Sequence, residues 1–92
     1  MNRESAEQVG IQVLGWLAGH DEMLTQFLGM TGIAASDLRV RAQEPEFLGF
    51  VLDFLLLDDA AIMAFCDDSH LPPEAPMHAR AALPGGDVPN WT

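Results

Sequence analysis

The segment from Glu46 to Leu57, EFLGFVLDFLLL, constrains the fold more than any other part of the chain. Nine of its twelve residues are large and apolar. The three exceptions, Glu46, Gly49 and Asp53, are spaced so that they share one narrow strip of a helix. Because every other direction around that helix is apolar, the pattern predicts a central helix that is buried on nearly every side by the other helices.

The rest of the chain shows helical periodicity, with apolar residues recurring three and four positions apart and no alternating run that would indicate a strand. The sequence therefore predicts an all-α fold, a compact bundle of five to six short helices around the buried central helix at about 46–57. We expect a single helical domain over residues 1–86 and a flexible C-terminal tail over residues 87–92.

Local signals suggest how the shorter helices begin and how closely they pack. Ser5 and Gln8 have the spacing of a capping box, which predicts that Ser5 caps the first helix. Ser36 is expected to cap a short third helix. Gly10 and Gly15 fall inside the first helix, where glycine is unfavourable, so we expect both to lie at close contacts between helices.

The charge of the chain narrows its possible partners. Fourteen acidic residues against four arginines give a formal net charge of −10, and the acids are dispersed along the chain. Such a surface repels phosphate backbones and anionic lipids. Nucleic-acid binding and membrane binding are therefore disfavoured. The favoured interpretation of the charge is a soluble, self-repelling surface, and the alternative is attraction to a basic partner.

Cysteine content and hydropathy indicate the compartment. Cys66 is the single cysteine, so no disulfide can form within the chain, which is typical of a reducing environment. The first residues show no apolar run of the secretory type. The longest apolar stretch, residues 47–57, is interrupted by Asp53 and is shorter than the ~20 residues that span a bilayer. We expect a cytoplasmic protein that does not enter the membrane.

Three parts of the sequence resemble a known family. They are FLGMTGIAASDLR (27–39), EPEFLGFVLDFLLLDDAAIMAFC (44–66), and LPPEA (71–75) with ARAALPGG (79–86). Together they resemble a family of short alphaproteobacterial proteins, domain of unknown function 3572, over roughly residues 5–86. The resemblance implies an all-helical cytoplasmic protein with no assigned activity. It implies no catalytic or ligand-binding residues.

Residues 27–42 could form a helix-turn-helix that contacts DNA. Gly32 would lie at the turn and Ser36 at the helix cap, with Arg39 and Arg41 available to phosphates. Any corner between two helices needs a similar breaker and cap, and two arginines two positions apart do not share a helix face. This interpretation is the alternative to a protein-binding function.

Cys66, Asp67, Asp68 and His70 are all residue types that can bind zinc. Their spacing matches no closed structural zinc site, and an inert, buried thiol followed by solvated acids is the favoured explanation. No phosphate-binding loop or serine elbow is present. We therefore expect no cofactor, no metal and no enzymatic activity.

The remaining residues favour an interaction protein. Met23, Met30 and Met63 lie at core spacing, so packing is the favoured role for these methionines. Trp91, near the chain end, either folds back onto the domain or anchors a partner. Our leading hypothesis is a small, acidic, non-enzymatic protein–protein interaction module whose partner is unknown and could be a second copy. The possible interaction residues are Arg39, Arg41 and Trp91.

Overall fold

The computed structural model describes residues 1–83, which form six α-helices and one 3₁₀ turn. The helices are α1 (Arg3–Ala18), α2 (Asp21–Thr31), α3 (Leu38–Arg41), α4 (Pro45–Leu56), α5 (Asp59–Ser69) and α6 (Ala75–Ala82), and the 3₁₀ turn is Ala35–Asp37. The described residues contain no strand, and the predicted all-α fold is confirmed. Within residues 1–83, no helix has the length and apolar character that crossing a membrane requires.

The helix starts differ from two of the predicted caps. Helix α1 begins before Ser5, because the side chain of Asn2 accepts the backbone N–H of Ser5 at 2.7 Å and acts as the cap. The prediction of Ser36 as a cap was also wrong. The chain already turns at Ala35, so Ser36 lies inside the 3₁₀ turn, and no side chain caps α3.

Other helix ends follow the chemistry of single residues. Gly32 ends α2 in the left-handed conformation, with φ of 74°, which glycine adopts without a steric penalty. Pro45 occupies the first position of α4, where a missing N–H has no cost. Asp58 caps α5 by accepting the backbone N–H groups of Ala60 and Ala61 at 2.9 and 3.4 Å. These residues fix the lengths of the helices that surround the core.

Helices α1, α4 and α6 pack against one another. A Cβ atom at Gly10 would lie 3.0 Å from Cβ of Leu48, so the missing side chain lets the two backbones approach closely. Gly15 lies on the open side of α1, where a Cβ atom would meet nothing within 4 Å. The expected role in close packing is therefore confirmed for Gly10 and wrong for Gly15.

Helix α4 is one of the two main contributors to the buried core, together with α1, and each buries six residues. The six buried residues of α4 are Phe47, Leu48, Gly49, Val51, Leu52 and Leu55. The expectation of burial on nearly every side was too strong, because Phe50 and Leu57 are exposed on the outer side. Gly49, predicted to share the solvent-facing strip, is buried instead.

Candidate functional site

An open groove of about 590 Å³ lies between α2 and α4 and is lined mostly by apolar side chains; we call it the α2–α4 groove. Its floor is Phe27 of α2, a fully buried ring. Phe27 packs edge-on against Phe54 and Phe47 of α4, with ring centroids 5.4 and 5.8 Å apart. These large rings bridge the two helices while leaving a depression between them.

The walls of the α2–α4 groove are apolar side chains left in contact with solvent. Met30 on α2 is 65% exposed, Phe50 on α4 is 53% exposed, and Leu57, the residue that follows α4, is 72% exposed. The expectation that Met30 packs in the core was wrong, and Met63 on α5 is likewise exposed. Single exposed apolar residues are common, but three that line one depression mark a candidate binding surface.

Arg41 contributes to one part of the groove lining and is held there by two contacts. Its Nε atom lies 3.3 Å from Oε1 of Glu44, outside hydrogen-bonding geometry. Its guanidinium also lies over the ring of Phe47, 5.6 Å from the centroid. Arg41 therefore serves the packing of the α3–α4 corner, in addition to facing the groove.

Asp53 is the acidic residue of the groove lining, and α6 positions it. Nε of Arg80 donates a hydrogen bond to Oδ1 of Asp53 at 2.6 Å, while the Asp53 side chain stays about half exposed. The guanidinium of Arg80 reaches this position across Gly49, where a Cβ atom would lie 2.7 Å from Nη1. Gly49 is thus buried because Arg80 covers it.

The region predicted as a helix-turn-helix contains the end of α2, but its second helix is very short. Helix α3 has four residues, so it forms about one turn, and the segment before it is a 3₁₀ turn. Three of the four arginines are close to carboxylates, Arg3 to Glu7 at 3.3 Å and Arg41 and Arg80 as described above. Arg39 is exposed and has no ion-pair partner within residues 1–83.

Trp91, the third predicted interaction residue, lies outside the described residues, as do the predicted domain end at residue 86 and the tail over residues 87–92. The structure therefore brings only one of the three predicted residues, Arg41, to the α2–α4 groove. Arg39 is not among the groove-lining residues. The predicted interaction residues and the observed groove thus overlap only at the α3–α4 corner.

A second cavity, of about 670 Å³, lies beside the end of α5 and includes Cys66, Asp67 and His70. Burial raises the pKa of the Cys66 thiol, and the carboxylate of Glu74 raises it further. Both effects favour the protonated thiol, which is a poor nucleophile and a poor metal ligand. Within residues 1–83, no three His, Cys, Asp or Glu side chains are grouped as a metal site would require.

Asp68, which the sequence places beside these residues, serves a structural contact. Its Oδ2 atom accepts a hydrogen bond from Nε1 of Trp16 on α1 at 2.8 Å. The Trp16 ring packs edge-on against Phe65, with centroids 5.9 Å apart, and lies against His20 at 4.1 Å. The tryptophan therefore joins α1 to α5, and Asp68 has a role in the fold.

Composition does not identify Phe50 and Leu57 as surface residues, because they lie within the most apolar segment of the chain. A signal was nevertheless present in their spacing. Positions 46, 50, 53 and 57 repeat at intervals of four, three and four, so Phe50 and Leu57 share one helix face with Glu46 and Asp53. Acids on that face indicate that it meets solvent.

The fold and the groove together define a class, a small all-helical protein with an open apolar surface groove. The chain belongs to a family described as "Protein of unknown function (DUF3572)", whose model matches residues 3–86. This match confirms the resemblance found in the sequence. No curated protein and no solved structure matches the chain significantly.

Proposed function

We propose that this protein is a non-enzymatic protein–protein interaction module and that the α2–α4 groove is its binding surface. The observation that carries the proposal is the exposure of Met30, Phe50 and Leu57 around the buried ring of Phe27. Covering these side chains would remove apolar surface from water at about 25 cal/mol per Å². A partner that covers them gains binding free energy without requiring a change in the core.

The openness of the groove favours a macromolecule over a small ligand. Pockets for small molecules enclose roughly 70–90% of the ligand surface. The walls of the α2–α4 groove are themselves half exposed or more, so they would leave one side of a small ligand in water. A protein partner can cover the groove and its rim together, as the apolar centre and polar edge of an interface require.

The polar groups near the groove support binding rather than catalysis. Asp53 is hydrogen-bonded to Arg80, and Arg41 lies between Glu44 and the ring of Phe47. These contacts hold the side chains of Asp53 and Arg41 in place. Neither side chain is arranged as a general base beside a nucleophile. A reducing compartment such as the cytoplasm is supported by the cysteine count, because the single Cys66 can form no disulfide within the chain.

The proposal is tested by comparing which proteins the wild type and two variants recover from cells of the source organism. Phe50→Ser removes the centre of the groove wall, whereas Ile11→Ser alters an equally exposed apolar residue on α1. We expect specific partners to be recovered by the wild type and Ile11→Ser and to be depleted with Phe50→Ser, as measured by quantitative mass spectrometry. Equal recovery by all three proteins, with matched thermal unfolding, would overturn the proposal.

A further inference from the structure

We infer that the partner of the α2–α4 groove presents a basic amphipathic helix, an inference that rests on the function proposed above. The first argument is the pattern on the outer face of α4. Glu46, Phe50, Asp53 and Leu57 share this face, and all four are exposed. Acidic and apolar side chains thus alternate along about three turns of helix.

The alternation specifies what a complementary surface must carry. Apolar side chains from the partner would pack on Phe50 and Leu57 and extend over Phe27 into the groove. Cationic side chains, set between or beside them, would lie near Glu46 and Asp53. An amphipathic helix with Lys or Arg flanking its apolar stripe has this arrangement, because residues three and four positions apart lie on one face.

The shape of the groove favours a helix over an extended segment. Helices α2 and α4 form its two sides, and residues 1–83 contain no strand whose edge an extended peptide could join. Without such an edge, the backbone groups of an extended segment would gain no ladder of hydrogen bonds. A helix satisfies its own backbone and needs only an apolar depression, which the groove provides.

Charge distinguishes a basic partner from a second copy of this chain. Each copy carries a formal net charge of −10, and the outer face of α4 bears Glu46 and Asp53. Asp53 is already paired with Arg80, and Arg41 is the basic residue of the groove lining, so the acidic charge comes chiefly from Glu46 and from the net charge of the chain. Two copies joined through this face would bring like charges together, which opposes association. With a basic helix, the electrostatic interaction is attractive instead of repulsive. The attraction speeds association, and the pairing of opposite charges adds specificity.

The inference is tested with three labelled peptides of about 18 residues that share one apolar stripe and helical content. Their polar faces carry Lys and Arg, neutral Gln and Ser, or Glu. Fluorescence anisotropy with the full-length protein should show the tightest binding for the cationic peptide, with affinity falling as salt is raised. The Phe50→Ser variant should bind it about tenfold more weakly, and Ile11→Ser should bind it as the wild type does.

A pair of charge-neutralising variants separates local contact from total charge. Glu46→Gln lies on the outer face of α4, and Asp67→Asn lies at the second cavity on α5, so both change the net charge by one. If a cationic side chain of the peptide lies beside Glu46, then Glu46→Gln should weaken binding of the cationic peptide about threefold, and Asp67→Asn should have a smaller effect. Equal effects of the two variants would mean nonspecific attraction and would overturn the inference.

The remaining outcomes distinguish this inference from the proposed function. If the acidic or neutral peptide binds as tightly as the cationic one, and Phe50→Ser still weakens that binding, then the groove is the binding surface but the partner is not basic. If no peptide binds, while the recovery of partners from cells still depends on Phe50, then the partner does not present a basic helix. The proposed function as an interaction module would remain supported.

Two further results would identify a different occupant and overturn the inference. One is a dimer in sedimentation that Phe50→Ser dissociates, since it would place a second copy in the groove. The other is peptide affinity that rises about tenfold or more in Trp91→Ala, which would mean that the chain's own C-terminal segment competes for the site. A monomer and unchanged affinity support the basic helix.

Discussion

Helix α4 meets α1 and α2 in opposite ways. At the α1 contact, Gly10 brings the two backbones together over Leu48. At the α2 contact, the rings of Phe27, Phe47 and Phe54 bridge the helices, and an open groove remains above them. One helix with apolar residues on nearly all sides therefore produces a closed core on one side and an uncovered apolar surface on the other.

Comparison of the α1–α4 and α2–α4 contacts indicates that small residues allow two helices to pack closely, whereas large residues can keep them apart. A glycine at a crossing removes the volume that would separate two helices. Aromatic rings that pack edge-on fill the base of a contact, but their size keeps the helix axes apart. The apolar side chains above them then remain exposed unless a further element of the protein, or a partner, covers them.

The largest expected effect on stability comes from comparing a substitution on the buried side of α4 with one on its exposed side. Leu52 is fully buried in the core, so Leu52→Ala should lower the free energy of unfolding by about 2–5 kcal/mol. Phe50→Ala removes more atoms from the exposed side, yet it should cost less than about 1 kcal/mol. Urea unfolding of both variants measures the contrast. Similar losses would mean that the groove side is packed as tightly as the core.

Two glycines on α1 provide the next test. Gly10→Ala places a Cβ atom against Leu48 and should destabilise the protein by about 1–2 kcal/mol, after the improved helix propensity is allowed for. Gly15→Ala meets no neighbour within 4 Å and should stabilise it by about 0.5–1 kcal/mol. Thermal unfolding reports both changes, and shifts of the same sign would contradict the close approach of α1 and α4.

The contact between α4 and α6 predicts coupling between two substitutions. Gly49→Ala should displace the Arg80 guanidinium and disturb its hydrogen bond to Asp53. Arg80→Ala vacates the same space, so the alanine side chain at position 49 should then be tolerated. A double-mutant cycle should therefore show a coupling free energy of about 1 kcal/mol in favour of the double variant. Strict additivity would mean that Arg80 does not lie over Gly49.

The smallest expected effect concerns the buried thiol of Cys66 on α5. Burial raises the pKa of Cys66 in the folded state, so the unfolded thiol loses its proton at a lower pH than the folded one. Stability should accordingly decline as the pH rises through the alkaline range between these two pKa values. Cys66→Ala should show a shallower decline in urea unfolding. An identical pH dependence in the two proteins would place Cys66 in water.

Much of the fold could be predicted from the sequence because it depends on local chemistry. Helical periodicity predicted an apolar face for each helix, and Val13 and Leu17, four positions apart on α1, are both fully buried. The central position of α4 followed from its composition. Errors of helix start, at Ser5 and Ser36, arose where another residue nearby offered a better cap or where the chain had already turned.

The groove was harder to predict because periodicity identifies a polar face but not which apolar face lacks a neighbour. Phe50 resembles Phe47 in the sequence, and only the positions of α1, α2 and α6 decide which ring is covered. The role of Asp53 depends on Arg80, which is 27 positions away in the chain. Contacts of that range are set by tertiary packing, which a local pattern does not contain.

The most direct test of this account is hydroxyl-radical footprinting of the protein alone, with modification of single residues measured by mass spectrometry. The account predicts rapid modification of Phe50 and Met30 and strong protection of Phe47 and Phe27 on the same two helices. Protection of Phe50 to the level of Phe47 would contradict it, since the outer side of α4 would then already be covered.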